Sequence, residues 1–285
     1  MPALSVLMPA YNSISTLEKA VASVQWQTFK DWELVIVDDG SSDDTLVLAR
    51  RLASADPRIR VIAAAHTGRG GARNAAIEAA RAGLMIHCDS DDVYFPNAFE
   101  KVVARMSGDD EVDLAGPDLV LYRSERPRGW FVRDYPQTHE QIVDHIDKNI
   151  MLVRVCTHRR SAVERAGMFN PEVAVLEDWE WLQRCRIAGL RFGSVPGPLF
   201  SYRHDLVRPL RSHLSHQRAV AGYRARIALH GQLPEGVRPG RMRELFWLAR
   251  YPGHVVRDYF LHPSARQVSR REWGSDWPPP RSLLI

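Results

Sequence analysis

Three carboxylates fall within four residues at Asp89-Ser90-Asp91-Asp92. Carboxylates so crowded resist ionising together unless a cation neutralises them, which points to a hard divalent metal. An Asx-rich turn is the other reading of the same run. A second acidic pair opens Asp38-Asp39-Gly40-Ser41-Ser42. It suits a turn and helix cap, with Ser41 and Asp44 in capping spacing, or it accepts from the ring N–H and ribose hydroxyls of a nucleotide. Tyr11 offers a flat apolar face on which a base could stack. A third acidic group, Glu177-Asp178-Trp179-Glu180-Trp181, opens a helix. Its acids either complement the helix macrodipole or include a general base whose flanking tryptophans exclude water and lift its pKa.

The stretch Gly68-Arg69-Gly70-Gly71-Ala72-Arg73 is not a dinucleotide fingerprint, because Arg73 stands where GxGxxG needs glycine and the run follows the third strand. No GxxxxGK[ST] phosphate loop is present. Arg73 reads instead as a charge for phosphate or base near a helix start.

The elements that must position these residues alternate in period. Leu4 to Met8 reads as a strand, and Ser15 with Glu18 forms a capping-box pattern for a helix through Leu17, Val21 and Val24. Leu34 to Val37 is a β-branched run suited to a strand buried on both faces, followed by a helix with Leu46, Leu48, Ala49 and Leu52. A third strand spans 59–64, a third helix 72–82, and a fourth strand 84–86. Strand–helix alternation of this kind builds a parallel sheet whose strand C-termini share one edge, where ligands bind. Pro9 to Asn12, Asp38-Asp39, His66 to Arg73 and Asp89 to Asp92 all follow strand ends. Farther on, the pattern predicts a strand within 112–122, a polar loop and then a helix over 123–150, a strand at 151–156, helices at 161–166 and 177–188, and a closing strand at 200–202. Past 206, helices at about 214–230 and 242–250 flank a Pro/Gly-rich link, and the terminus looks extended.

Taken in order, Ser5-Val6-Leu7-Met8-Pro9-Ala10-Tyr11-Asn12, Ser23-Val24-Gln25-Trp26-Gln27-Thr28, Glu33 to Ser41, Gly71-Ala72-Arg73-Asn74, Asp89-Ser90-Asp91-Asp92 and Leu176-Glu177-Asp178-Trp179 resemble the inverting family 2 glycosyltransferases. The resemblance covers about residues 3–205. It implies an α/β GT-A fold: a Rossmann-like, mixed and mainly parallel sheet flanked by helices, with a helical C-terminal extension. It implies a nucleotide-sugar donor, UDP-sugar favoured, and Mn²⁺ or Mg²⁺. Tyr11 and Asp39 are implied as base contacts, Asp38 and Arg73 as secondary donor contacts, with Pro9 and Ser90 in the same donor site. Asp89 and Asp91 match the DxD positions at ribose and metal, and Asp92 is a further metal or sugar contact. Asp178 matches the acceptor base, with Glu177 beside it. His204 sits where some members place a histidine near diphosphate or metal. The Q-x-x-R-W motif of processive synthases is absent, which favours single-sugar transfer.

Composition sets the outer limits. The 285 residues are 45% hydrophobic and 25% charged, enough for a large core and too apolar for wholesale disorder. No apolar run reaches the ~18 residues of a membrane span, and without a basic segment leading into an apolar core at the N-terminus no signal peptide is expected. Cys88, Cys156 and Cys185 form no CxxC pair, which excludes a disulfide scaffold and suggests the cytoplasm, with the inner face of the membrane as a peripheral option. Residues 201–285 hold 15 Arg, no Lys and 6 acids, a net of +9, so the rest carries −5. We expect a glycosyltransferase domain over 1–205, divided into a donor half (1–115) and an acceptor half (116–205), then a basic extension over 206–285. A glycan or lipid-linked acceptor, peripheral membrane contact through the extension and a homo-oligomer fit this layout. An enzyme of nucleotidyl transfer or hydrolysis is the alternative. A nucleic-acid-binding module fits poorly, since the body is acidic, and no nucleic-acid partner is expected.

Overall fold

The computed structural model describes residues 1–117, 119–124, 129–134, 136–148, 157–173, 177–203 and 266–267. Seven elements alternate from the N-terminus: β1 (Leu4–Ala10), α1 (Leu17–Gln25), β2 (Trp32–Asp39), α2 (Thr45–Ala55), β3 (Ile59–Ala64), α3 (Gly68–Ala79) and β4 (Leu84–His87). Then come β5 (Val93–Tyr94), α4 (Ala98–Ser107), β6 (Leu114–Pro117), β7 (Leu119–Ser124), β8 (Gly129–Asp134) and α5 (His139–Lys148). The order continues with β9 (Thr157–Arg159), α6 (Arg160–Ala166), α7 (Glu177–Ile187), β10 (Phe192–Val195), β11 (Phe200–Arg203) and β12 (Arg266–Gln267).

Among the described residues the main sheet has seven strands in the order β10-β6-β9-β4-β1-β2-β3. β1 pairs in parallel with β2 and β4, β2 with β3, and β6 with β10, while β9 runs antiparallel between β4 and β6. The mixed, mainly parallel sheet expected from the sequence is therefore present. A five-stranded sheet, β12-β8-β7-β11-β5, stands beside it.

Every residue of β2 is buried, as a strand covered on both faces requires. Alternation assigns its side chains to two cores. Leu34 and Ile36 join Val6 and Met8 of β1 against Leu17, Val21 and Val24 of α1 and Phe99 of α4. Val35 and Val37 join Leu7 against Ala72, Ala76 and Ile77 of α3 and Trp179, Trp181 and Leu182 of α7. Helices α3 and α7 thus share one face of the sheet, and both begin at the edge where the parallel strands end.

Several local expectations are corrected. Ser15 and Glu18 do not close a capping box: α1 begins at Leu17, Ser13 O accepts the amides of Thr16 and Leu17 at 3.0 and 2.9 Å, and Glu18 pairs with Arg51 Nη2 at 3.1 Å. Nor does the Ser41/Asp44 spacing cap α2. Asp44 makes no side-chain cap bond, and Asp43 Oδ1 takes the Thr45 amide at 3.0 Å. Helix α3 starts at Gly68 rather than at 72, for a reason that lies in β2 and is given below. Strand β8 occupies part of the expected polar loop. The strand expected at 151–156 and the helices expected beyond 206 lie outside the described residues. Among the described residues no helix is long and apolar enough to cross a membrane.

Candidate active site

Parallel register brings the ends of β1, β2 and β3 together: Ala10 lies opposite Asp38, and Asp39 opposite Ala64. Asp39 is buried, and its carboxylate is claimed by the start of α3. Oδ1 accepts from Thr67 N at 2.7 Å and Thr67 Oγ1 at 3.2 Å, and Oδ2 accepts from Gly68 N at 3.0 Å. These are the donors a helix N-terminus leaves unsatisfied, so an acid from another strand begins α3 four residues early. His66 Nδ1 lies 2.9 Å from Asp39 Oδ2, and the His66 ring stacks on Tyr11 with centroids 4.4 Å apart. Tyr11 is 48% exposed. Gly40, at φ +72°, lets the 38–40 turn pass under His66: a Cβ there would sit 3.0 Å from His66 N.

Asp38 is also buried, at 2% exposure. Its Oδ2 accepts the Ser41 amide at 3.2 Å, whereas Oδ1 is buried with no partner among the described residues. A buried carboxylate oxygen without a donor is costly, and a ligand hydroxyl or ring N–H would relieve it. Pro9, next to last in β1, and Ser90, whose Oγ is 2.8 Å from Ser13 Oγ, complete this corner.

The DSDD run turns directly after β4, with the Asp92 amide donating to Asp89 O at 3.0 Å. Asp92 is buried, while Asp89 and Asp91 are partly exposed. Arg73, inside α3, reaches this turn: Nη2 donates to Asp89 Oδ1 at 3.2 Å and Nη1 donates to Glu177 Oε1 of α7. Burial works against the Arg73 charge, but Asp89, Glu177 and Asp178 outweigh it and hold the guanidinium protonated. With its side chain 10% exposed, Arg73 engages carboxylates with both prongs.

At the start of α7 the neighbouring acids differ. Glu177 is buried, and burial pushes its carboxyl upward, Arg73 opposing and Asp178 adding to the rise. Asp178 is exposed, its Oδ1 accepting the Trp179 amide at 2.8 Å. The flanking tryptophans do not wall it from water. Trp179 Nε1 donates to Ile146 O at 3.0 Å and Trp181 Nε1 to Gly167 O at 2.8 Å, so both rings point into the core. Between β4 and β9, His87 and His158 face each other with Nε2 atoms 3.1 Å apart. Burial pushes His158 down to about 4 and His87 well below its ordinary value.

Among the described residues no group of three or more His, Cys, Asp and Glu side chains is arranged to hold a metal unaided. Asp89 and Asp91 nonetheless fit a Mg²⁺ or Mn²⁺ ion, which is commonly held by one or two carboxylates with ligand phosphates supplying further oxygens. His204 lies outside the described residues. Sequence reasoning missed the Arg73–Glu177 pair and the contacts of His66 with Asp39 and Tyr11; the signal for His66 and Arg73 was their place in the segment after β3.

The strand-end edge of this sheet gathers Tyr11, Asp38, Asp39 and Arg73 around an acidic turn. The family model described as Glycosyl transferase family 2 matches residues 5–165, more than half of the chain, and the chain belongs to that family. EpsH of Bacillus subtilis (strain 168) is 31% identical over 217 residues, 72% of this chain and 62% of EpsH. The UDP-Glc:alpha-D-GlcNAc-diphosphoundecaprenol beta-1,3-glucosyltransferase WfgD of Escherichia coli is 36% identical over 104 residues, 36% of this chain and 40% of that protein. The chain thus spans less than two thirds of the length of these curated relatives. Among solved structures, S. aureus TarS 1-349 in complex with UDP superposes with a TM-score of 0.55 at 20% identity, over 76% of this chain and 64% of that one. Mannosyltransferase PcManGT from Pyrobaculum calidifontis, in complex with GDP-Man and Mn²⁺, gives 0.58 at 15% identity, over 92% and 70%. These likenesses establish the GT-A type of fold.

Proposed function

We propose that the chain is a metal-dependent, inverting glycosyltransferase that moves one sugar from a nucleotide-sugar, UDP-sugar favoured, to an acceptor hydroxyl in polysaccharide, glycolipid or glycoconjugate synthesis. The observation that carries this reading is the Arg73 bridge, which brings the exposed Asp178 of α7 to the same edge as the Asp89–Asp92 turn. Tyr11, Asp38 and Asp39 with Pro9 hold the nucleoside, and Asp38 Oδ1, which has no partner among the described residues, accepts a donor from it. Asp89 and Asp91, with Ser90 and Asp92 beside them, would hold Mn²⁺ or Mg²⁺, and His204 is a further candidate ligand. Such an ion supplies neutralising charge for the departing diphosphate. Asp178 takes the proton of the acceptor hydroxyl as its oxygen bonds to the anomeric carbon from the face opposite the diphosphate. The sugar–phosphate bond breaks with its electron pair going to the nucleoside diphosphate, and the anomeric configuration inverts. The names of WfgD, with its UDP-Glc donor and diphosphoundecaprenol-linked acceptor, and of the UDP and GDP-Man complexes support this substrate class.

Residues 1–205 form the catalytic domain in this reading, and 206–285 a basic extension suited to peripheral membrane contact. Co-sedimentation with anionic vesicles at low salt tests the extension: full-length protein should pellet and a chain ending at Leu233 should not, while both remaining in the supernatant refutes membrane contact. For the function, thermal shift against UDP-, GDP- and dTDP-sugars with and without Mn²⁺ is the test. A Mn²⁺-dependent rise with a UDP-sugar is expected, and no rise with any of them would overturn the proposal.

A further inference from the structure

Resting on the reading of Asp178 as the acceptor base, we propose that Arg73 and Asn74, adjacent on α3, are positioning residues that fix the first turn of α7 against the donor edge. Asn74 makes a two-way grip on a segment 95 residues away: Nδ2 donates to Phe169 O at 2.8 Å and Oδ1 accepts from Phe169 N at 2.9 Å. One turn earlier, Gly70 permits close approach, since a Cβ there would meet Asn170 O at 3.0 Å. The same segment is held from α7. Trp181 Nε1 donates to Gly167 O at 2.8 Å, Arg184 Nη2 donates to Met168 O at 2.7 Å, and the Phe169 ring stacks on Trp181 at 4.9 Å. Residues 167–170 therefore form a plate clamped between the two helices. Arg73 adds the direct tie, from Asp89 on the donor side to Glu177, the first residue of α7. α3 is itself seated on Asp39 at its start. One helix thus carries a mechanical connection from the nucleoside corner to Asp178, and rigid support of this kind is what a proton-accepting group needs to meet its substrate.

Hydrogen exchange of the full chain tests this with Asn74→Ala. Two ordinary hydrogen bonds hold about 10- to 30-fold protection, so amides over 167–173 and 177–187 should exchange faster by that factor. Exchange over 4–39, and the affinity for UDP with Mn²⁺, should stay within about twofold. Asn74→Asp, which keeps the acceptor for the Phe169 amide, should recover part of the protection, and Arg73→Lys, which loses the fork but keeps the charge, should reproduce the local pattern. In parallel, UDP release from UDP-glucose should fall at least about tenfold in kcat with KM little moved, because the donor corner is intact. Faster exchange throughout the sheet, or none at α7, overturns the proposal. Absence of turnover and of UDP binding in the unaltered protein counts against the donor reading alone, and the exchange map still decides the positioning role.

Discussion

Arg73→Met tests the centre of the site. The side chain is 10% exposed and Glu177 opposite it 3%, so the substitution leaves a carboxylate buried beside Asp178 without its cation. Breaking a buried pair in this way costs about 3–5 kcal/mol. The Asp89 arm adds little, about 1 kcal/mol at most, because that carboxylate is 34% exposed and screened. The loss depends on pH. Glu177 titrates above its ordinary value of 4.5 through burial, and removing Arg73 lifts it further. A carboxyl raised in the folded state takes up a proton before the unfolded chain does, so acidification favours the fold. The deficit should be complete above the raised value and shrink as pH falls toward 4.5. Urea unfolding at pH 7.5 and 5.5 reads this directly, and Arg73→Met with Glu177→Gln supplies the control. Neutralising Glu177 removes the stranded charge, so the double variant should recover about 2 kcal/mol of the loss. A double variant no more stable than Arg73→Met would refute the reasoning.

Asp91→Asn should sharply weaken Mn²⁺-dependent UDP binding while leaving the fold intact; calorimetry with an unaltered affinity would sink the metal assignment. Asp178→Asn should abolish transfer yet leave UDP affinity within about twofold, as a base for the acceptor touches the nucleotide little. Asp38→Asn should lower UDP affinity about tenfold or more while leaving stability equal or higher, because the lone Oδ1 helps only the bound state; unchanged binding would remove Asp38 from the nucleoside corner.

Much of the donor side is legible in the chain itself. Period-two and helical patterns with no long interruptions fix β1 to β4, and parallel topology then places Asp38, Asp39 and the Asp89–Asp92 turn on one edge without further information. What escapes is tertiary. The start of α3 depends on an acid in β2, 28 residues before Thr67, and no local cap announces it. The polar loop expected after 123 conceals β8, whose partners β7 and β12 belong to a separate sheet. The tryptophans around Asp178 suggest a dry base. Helical spacing alone leaves their side undetermined, and the core beneath the sheet claims them.

The capture of the α3 amides by Asp39 bears on how the edge treats anions. In many phosphate-binding folds the first turn of a helix is left open, and its backbone amides receive the ligand's charge. Here Thr67 N and Gly68 N already serve a carboxylate of the protein's own chain, and the positive pole of α3 is largely cancelled from within. A diphosphate arriving at this edge, as the proposed function requires, would find an internal counter-ion where another fold would offer a receptor. In the proposed reaction, charge compensation would then come from mobile or added cations, which would make ion dependence a property of the architecture rather than of the acidic turn alone. Freeing those amides would be expected to exchange one mode of anion binding for the other, with UDP retained in the presence of a chelator as its signature.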